Sequence, residues 1–336
     1  MNWSKRAAWC LLLIVSACAS ATAQPQKRRT IEIVPPRSYA AIKLEASPAL
    51  QKLLDEAVRQ VIASYPDGKF KPEEIAATLI DLGDPAAARW AHVRGEQRIY
   101  PASVVKMFYM AALERQLEDG KIAMTKELER GLRDMIVVSS NEATQYILDV
   151  LTDTSSGAEL PKNEFDRWQH QRNRVNRFYS AMGYTNINVN QKTFCEDAYG
   201  IEQQSRNYKG ENRNMLTTNA TARLLAEIVT GRMNTPERTK TMMDLMSRDW
   251  TAPSSDPDDQ AVGFTGKALI DNKLAGAKLW SKAGWTSRSR HDAAYIETPD
   301  GLKFVLVVFT ENHANDREPI PAVAARVIAG LRAAGK

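Results

Sequence analysis

The chain reads as an α+β protein: one antiparallel sheet built from both ends of the sequence, with a block of helices inserted between its halves. Three observations predict this. Apolar residues alternate or run together over two short segments near the start, Ala76 to Leu82 and Trp90 to Tyr100, and over three near the end. Between these groups, from Lys106 to Arg248, the spacing of apolar residues is mostly helical. A helical segment also stands outside each group of strands. The expectation is an antiparallel five-stranded sheet flanked by N- and C-terminal helices.

The elements follow in order. Ser47 reads as an N-cap followed by Pro48 at the first helical position, and Leu50, Leu53, Leu54, Ala57, Val58, Val61 and Ile62 repeat at helical spacing. Gly83-Asp84-Pro85 supplies the turn between the first two strands. A helix over Lys106 to Glu118 stops at Gly120. Loops are expected around Ser139 and between Tyr184 and Asn214, and Thr217-Thr218 opens an amphipathic run from Ala220 to Val229. Strands follow over Ala277 to Ala283, Ala293 to Thr298 and Lys303 to Thr310, the last two joined by Pro299-Asp300-Gly301. The closing helix spans about Pro321 to Ala333. No internal repeat is present.

The 336 residues, 43% apolar and 25% charged, have an ordinary globular composition. Residues 1–23 read as an export leader: Lys5 and Arg6, an apolar run from Ala7 to Val15, and Ala21-Thr22-Ala23 before Gln24. That run is shorter than the ~20 residues of a membrane-spanning helix. Val15-Ser16-Ala17-Cys18 offers a second processing route, leaving Cys18 lipidated. Both place the protein outside the cytoplasm, as a periplasmic or secreted monomer. Residues 24–46, with Lys27-Arg28-Arg29 and Pro35-Pro36, read as a flexible tether, and 47–336 as one domain whose helical lobe covers about 103–250.

Composition narrows the chemistry. Cleavage after Ala23 leaves Cys195 as the one cysteine, so neither a disulfide nor a thiolate metal site is expected, and Cys195 reads as a buried, inert thiol. The formal charge of +5 falls by two when Lys5 and Arg6 leave with the leader, too balanced for a nucleic-acid partner. The basic stretch Arg167, Arg172, Arg174 and Arg177 reads as a solvated helix face. No G-x-S-x-G elbow occurs, and His92, His170, His291 and His313 lack motifs that would make a Ser-His-Asp triad.

Three short motifs carry the remaining chemistry. In Ser103-Val104-Val105-Lys106, i,i+3 spacing at a helix start puts a hydroxyl and an amine on one face. A serine needs an adjacent base to become a nucleophile, and a desolvated lysine can serve. Ser139-Ser140-Asn141 could relay a proton and hold a substrate carbonyl; an N-cap cluster is the alternative. Lys282-Ala283-Gly284 ends a strand, where the lysine can bind a substrate carboxylate and the small residues admit an extended substrate; a plain strand end is the alternative.

Together the ordered set resembles the S-x-x-K, S-D-N and K-T-G motifs of class A β-lactamases and penicillin-binding proteins. The flanking runs PASVVK, MIVVSSNEAT and WSKAGWTSRSRHDAAYIE carry the same resemblance. It implies the β-lactamase/transpeptidase fold and a serine hydrolase without cofactor or metal, acting on a β-lactam or a cell-wall peptide. Ser103 would be acylated, Lys106 would accept its proton and Ser139 would shuttle it. Asn141 would position the substrate amide, and Lys282 would tune the site. The Ser103 and Trp285 N–H groups would form an oxyanion hole, with Gly284 beside the substrate and Arg290, backed by Arg288, as a carboxylate clamp. Glu202 and Glu211, the latter in a Glu211-Asn212-Arg213-Asn214 run, are the candidate deacylation bases, with loop surface charges as the alternative. Three departures stand out: Ser140 for the aspartate, Ala283 for a hydroxyl residue, and a shorter Ser103-to-Ser139 interval. β-Lactam hydrolysis leads, with D-alanyl-D-alanine peptidase and silent peptidoglycan-binding module as alternatives.

Overall fold

Lys303 to Glu311 reads Lys-Phe-Val-Leu-Val-Val-Phe-Thr-Glu, apolar at both parities, because the strand is covered on both faces. Val305, Val307 and Phe309 face one core; Phe304, Leu306 and Val308 face another. The computed structural model describes residues 32–194 and 197–334. The leader and Cys195 lie outside the described residues.

In chain order, β1 (Glu45–Ala46) leads into α1 (Pro48–Ala63), then β2 (Ile75–Asp81) and β3 (Arg89–Val93). The helical block holds α2 (Val105–Glu118), α3 (Lys126–Ile136), α4 (Asn141–Thr152), α5 (Lys162–Arg172), α6 (Arg174–Ala181), α7 (Ile201–Arg206), α8 (Thr218–Val229) and α9 (Pro236–Met246). After β4 (Ser247–Arg248) and α10 (Thr265–Asp271) come β5 (Lys278–Trp285), β6 (Ser289–Glu297), β7 (Lys303–Glu311) and α11 (Pro319–Ala334). The sheet order is β1-β3-β2-β7-β6-β5-β4.

The expected five strands are present, but the sheet has seven. The two additions, β1 and β4, are two-residue edge strands, too short for any periodicity, and β1 pairs in parallel with β3. The second strand stops at Val93 rather than Tyr100, because Arg94 turns into the left-handed region at φ 50°. Ser47 caps α1 as expected, its Oγ accepting from the Leu50 N–H at 3.3 Å.

Two expectations outside the sheet need correction. Residues 32–46 do not trail as a tether: Ile33 and Ile42 are buried, and the Tyr39 hydroxyl and Ile42 N–H both donate to Glu227. A Pro-Pro pair disguised a segment anchored to the core by Ile33 and Ile42. The basic stretch is no solvated face either. Arg172 is wholly buried, and Arg174 and Arg177 pair with Glu32, leaving Arg167 exposed.

The sheet separates two cores. α1, α10 and α11 cover one face, and the helical block covers the other around α2, buried along nearly its full length. A helix buried on all sides belongs at the centre of a core, and burying Phe108 there contributes about 2–3 kcal/mol. α2 therefore holds whatever its first turn carries in a fixed place. Among the described residues, no helix is long and apolar enough to cross a membrane.

Candidate active site

The first turn of α2 carries Lys106, and the short 3₁₀ turn Ala102–Val104 before it carries Ser103. Ala102 sits at φ 47°, a conformation that costs a non-glycine residue roughly 1–2 kcal/mol. β5 fixes this turn from below. A Cβ on Gly284 would come within 2.6 Å of the Ser103 nitrogen and 2.8 Å of the Val104 nitrogen. Gly284 is thus required by the approach of two backbones, a role different from the substrate contact expected of it.

His291 supplies a second anchor. Its Nδ1 accepts from the Thr310 N–H at 3.2 Å, so the proton is on Nε2, which donates to the Tyr100 carbonyl at 2.9 Å. Burial holds the imidazole at a pKa of about 4, hence neutral. The ring is a strut between β6, β7 and the nucleophile turn, not a base.

Lys106 is fully buried, and its Nζ donates to the Ser139 carbonyl (2.5 Å), the Ser139 Oγ (3.2 Å) and the Asn141 Oδ1 (2.9 Å). Lys282, also fully buried, donates to the same Ser139 Oγ at 3.0 Å, and to Gln260 Oε1 (2.5 Å) and the Ala283 carbonyl (2.7 Å). One hydroxyl therefore bridges two lysines. Ser139 reaches this place with φ 62°, while Ser140 takes the N-cap of α4, accepting from the Ala143 N–H at 3.0 Å. Of the serine pair, Ser140 is the cap, and Ser139 lies between the two lysines.

Through the hydroxyl, the two nitrogens are no more than about 6 Å apart, where two full charges repel by roughly 3 kcal/mol at an effective dielectric near 20. Burial first, then the charges of Lys106 and Arg248, push Lys282 well below the usual lysine range. Such a group gives up its proton far more readily than a surface lysine.

Along β5, Ala283 N–H points away from β6 and is taken by Gln260. By strand alternation the Trp285 N–H has the same outward sense, beside the Ser103 turn, where an oxyanion hole would need it. The Trp285 ring is partly exposed and lies 5.7 Å from Phe264.

Arg290 does not act as the expected clamp. It pairs across from Trp285 on the sheet face opposite Lys282, is almost fully buried, and donates to Asp258 and the Gly263 carbonyl, both at 2.7 Å. Its charge is spent on that loop. Arg288 is exposed in the β5–β6 turn.

Neither nominated glutamate reaches the serine. Glu202, almost fully buried, accepts two hydrogen bonds from Arg172 (2.7 and 2.8 Å) and one from Ser156 (2.8 Å), with Lys192 at 3.4 Å. Burial pushes its pKa up, but Arg172 and Lys192 more than offset this and leave it below the usual range. A carboxylate held by two cations is a poor base. Glu211 is exposed in a turn, 3.7 Å from Arg213. Asn214 of the same run is a loop clamp, its Oδ1 accepting from the Asn190 and Gln191 N–H groups.

Sequence reasoning missed Gln260, Arg248 and the strut role of His291. Gln260 lies in a polar loop without a motif; the one hint was Ala283, whose missing hydroxyl leaves Lys282 needing another acceptor.

Comparison with known proteins agrees with this geometry. Residues 53–329 match the family described as Beta-lactamase enzyme family. A β-lactamase from Sphaerobacter thermophilus superposes with TM-score 0.58 at 20% identity, covering 84% of this chain and 97% of its own. One from Xanthomonas campestris gives 0.60 at 14%, covering 84% and 98%. A PBP-A variant solved as an acyl-enzyme complex with penicillin G gives 0.57 at 18%, covering 88% and 99%. No curated protein matches by sequence. With the fold, the motif order and the family match in agreement, the chain belongs to the Beta-lactamase enzyme family.

Proposed function

We propose that this protein is an exported, monomeric serine hydrolase that opens β-lactam amides through an ester on Ser103. The single observation that carries this reading is the sharing of the Ser139 hydroxyl by Lys106 and Lys282, one helical turn from Ser103. In the proposed cycle Lys106, once it has given up one of the three protons it donates, takes the Ser103 proton as the hydroxyl oxygen attacks the lactam carbonyl. The Ser103 and Trp285 N–H groups hold the oxyanion. Lys106 returns that proton through the Ser139 hydroxyl, which hands its own proton to the leaving nitrogen as the ring bond breaks. Asn141 orients the substrate amide, and Lys282 keeps the relay short of protons. The leader pattern at residues 1–23 supports an extracytoplasmic site of action.

A second reading, a D-alanyl-D-alanine peptidase, is favoured by the fate of Glu202 and Glu211, which leaves neither free to activate the deacylating water. A penicillin acyl-enzyme is also what the PBP-A variant displays. A chromogenic cephalosporin and a D-alanyl-D-alanine peptide separate the two. Sustained hydrolysis of the first is the expected result; slow release with D-alanine cleavage from the second would establish the peptidase, and neither reaction would leave a silent binding module.

A further inference from the structure

Gln260 spans the cleft. Its Nε2 donates to the Val137 carbonyl at 2.9 Å, two residues before Ser139, with the Ile136 carbonyl at 3.5 Å. Its Oε1 accepts from Lys282 Nζ at 2.5 Å and from the Ala283 N–H at 3.2 Å on the opposite wall. The side chain is almost fully buried. An sp² oxygen that accepts from an ammonium and from the outward N–H of an edge strand does what one oxygen of an extended substrate's carboxylate would do there. The neighbouring residue fits: Ala283 has no hydroxyl with which to bind an anion, and Arg290 is turned to the other face with Asp258. The Lys282 ammonium and the Ala283 N–H are both already matched by Gln260 Oε1. A substrate anion gains nothing here unless Gln260 leaves, which breaks its bonds on both walls.

We propose that Gln260 sets substrate choice: its carboxamide fills the place of a substrate carboxylate, so an anion beside the scissile amide adds nothing to acylation. This rests on the acyl-enzyme reading above. The discriminating pair is penicillin G and its methyl ester, with Ser103 acylation followed by intact mass. In the wild type the ester reacts at least as fast as the acid. Gln260→Ala exposes Lys282 and the Ala283 N–H and raises acid acylation about tenfold or more, the worth of a charged hydrogen bond, while the ester stays within about twofold. Gln260→Glu keeps the size but pairs a fixed carboxylate with Lys282, and lowers the acid relative to the ester. Gln260→Met, which keeps length without the acceptor, stands in if the alanine variant does not fold. Equal losses for acid and ester in Gln260→Ala would make Gln260 a mere prop for Lys282. An unchanged ratio across the variants would overturn the proposal as well. A label that survives Ser103→Ala is a different failure, that of the acylation reading.

Discussion

Two clusters of buried charge lie in this molecule, and they are built on opposite rules. Around Glu202, Arg172 and Lys192 meet Glu202 and Asp149, two cations against two carboxylates, with Ser156 and Thr154 filling remaining bonds. Around Ser139, Lys106 and Lys282 donate to neutral acceptors: the Ser139 hydroxyl and carbonyl, Asn141, Gln260 and the Ala283 carbonyl. Balanced charges tie α4, α5, α7 and the loop at Lys192 together. Crowded like charges hold a proton loosely. The first arrangement is a clamp and the second is the proposed relay, although the residue types overlap.

The largest effect is expected at the relay. Lys106→Arg keeps a cation but not one that can deprotonate, so acylation by penicillin should fall by about a thousandfold in a stopped-flow or quenched mass assay. Near-normal acylation would mean that another group takes the Ser103 proton, and the contrast between the clusters would lose its functional meaning.

Gly284→Ala comes next. The added methyl meets the Ser103 and Val104 nitrogens, displacing the nucleophile turn. Turnover should drop by about a hundredfold with the fold intact, as small misplacements of reacting atoms do. Unchanged kinetics would show that the turn has slack.

At the clamp, the effect moves from rate to stability. Glu202→Gln leaves Arg172 and Lys192 short of one counter-charge and should cost about 3–5 kcal/mol in denaturant unfolding. It should not trap an ester. Glu211→Gln, on an exposed residue, should change neither stability nor turnover beyond about 0.5 kcal/mol. An acyl-enzyme that accumulates in Glu202→Gln would restore the role first assigned to it from loop spacing.

A further effect is pH-dependent. His291 is neutral in the folded protein with a pKa of about 4, against an ordinary value of 6.5. Its contribution is present above pH 6.5 and is lost as pH falls through that window toward 4, by roughly 3 kcal/mol at most. His291→Gln can keep both hydrogen bonds without titrating. Melting temperatures of the two proteins should therefore converge toward the acid end relative to neutral pH, and parallel curves would contradict the neutral strut.

These contrasts also mark what the sequence could say. Long elements were legible: the five main strands, α1 with its Ser47 cap, and α2 follow from period and turn chemistry. Two-residue strands were not, since β1 and β4 exist only by pairing with partners far along the chain. At the site, Lys106, Ser139, Asn141 and Lys282 meet, as the resemblance of the three motifs implied. Arg290, Glu202 and Gln260 depend on which face of the sheet or which loop meets them. Strand parity alone separates Arg290 from Lys282, and a one-residue error in the strand start reverses it. Glu202 was judged by its distance from Thr217, which carries no information about Arg172 thirty positions earlier.

The most direct test of the central claim, that the lysine-flanked hydroxyl serves an acylated Ser103, is intact-mass spectrometry of the mature protein after a short incubation with penicillin G. The wild type should gain the mass of one penicillin, mapped to the peptide containing Ser103, and Ser103→Ala should gain none. An adduct of the same mass on Ser103→Ala, or one on the wild type mapped to another residue, would contradict it.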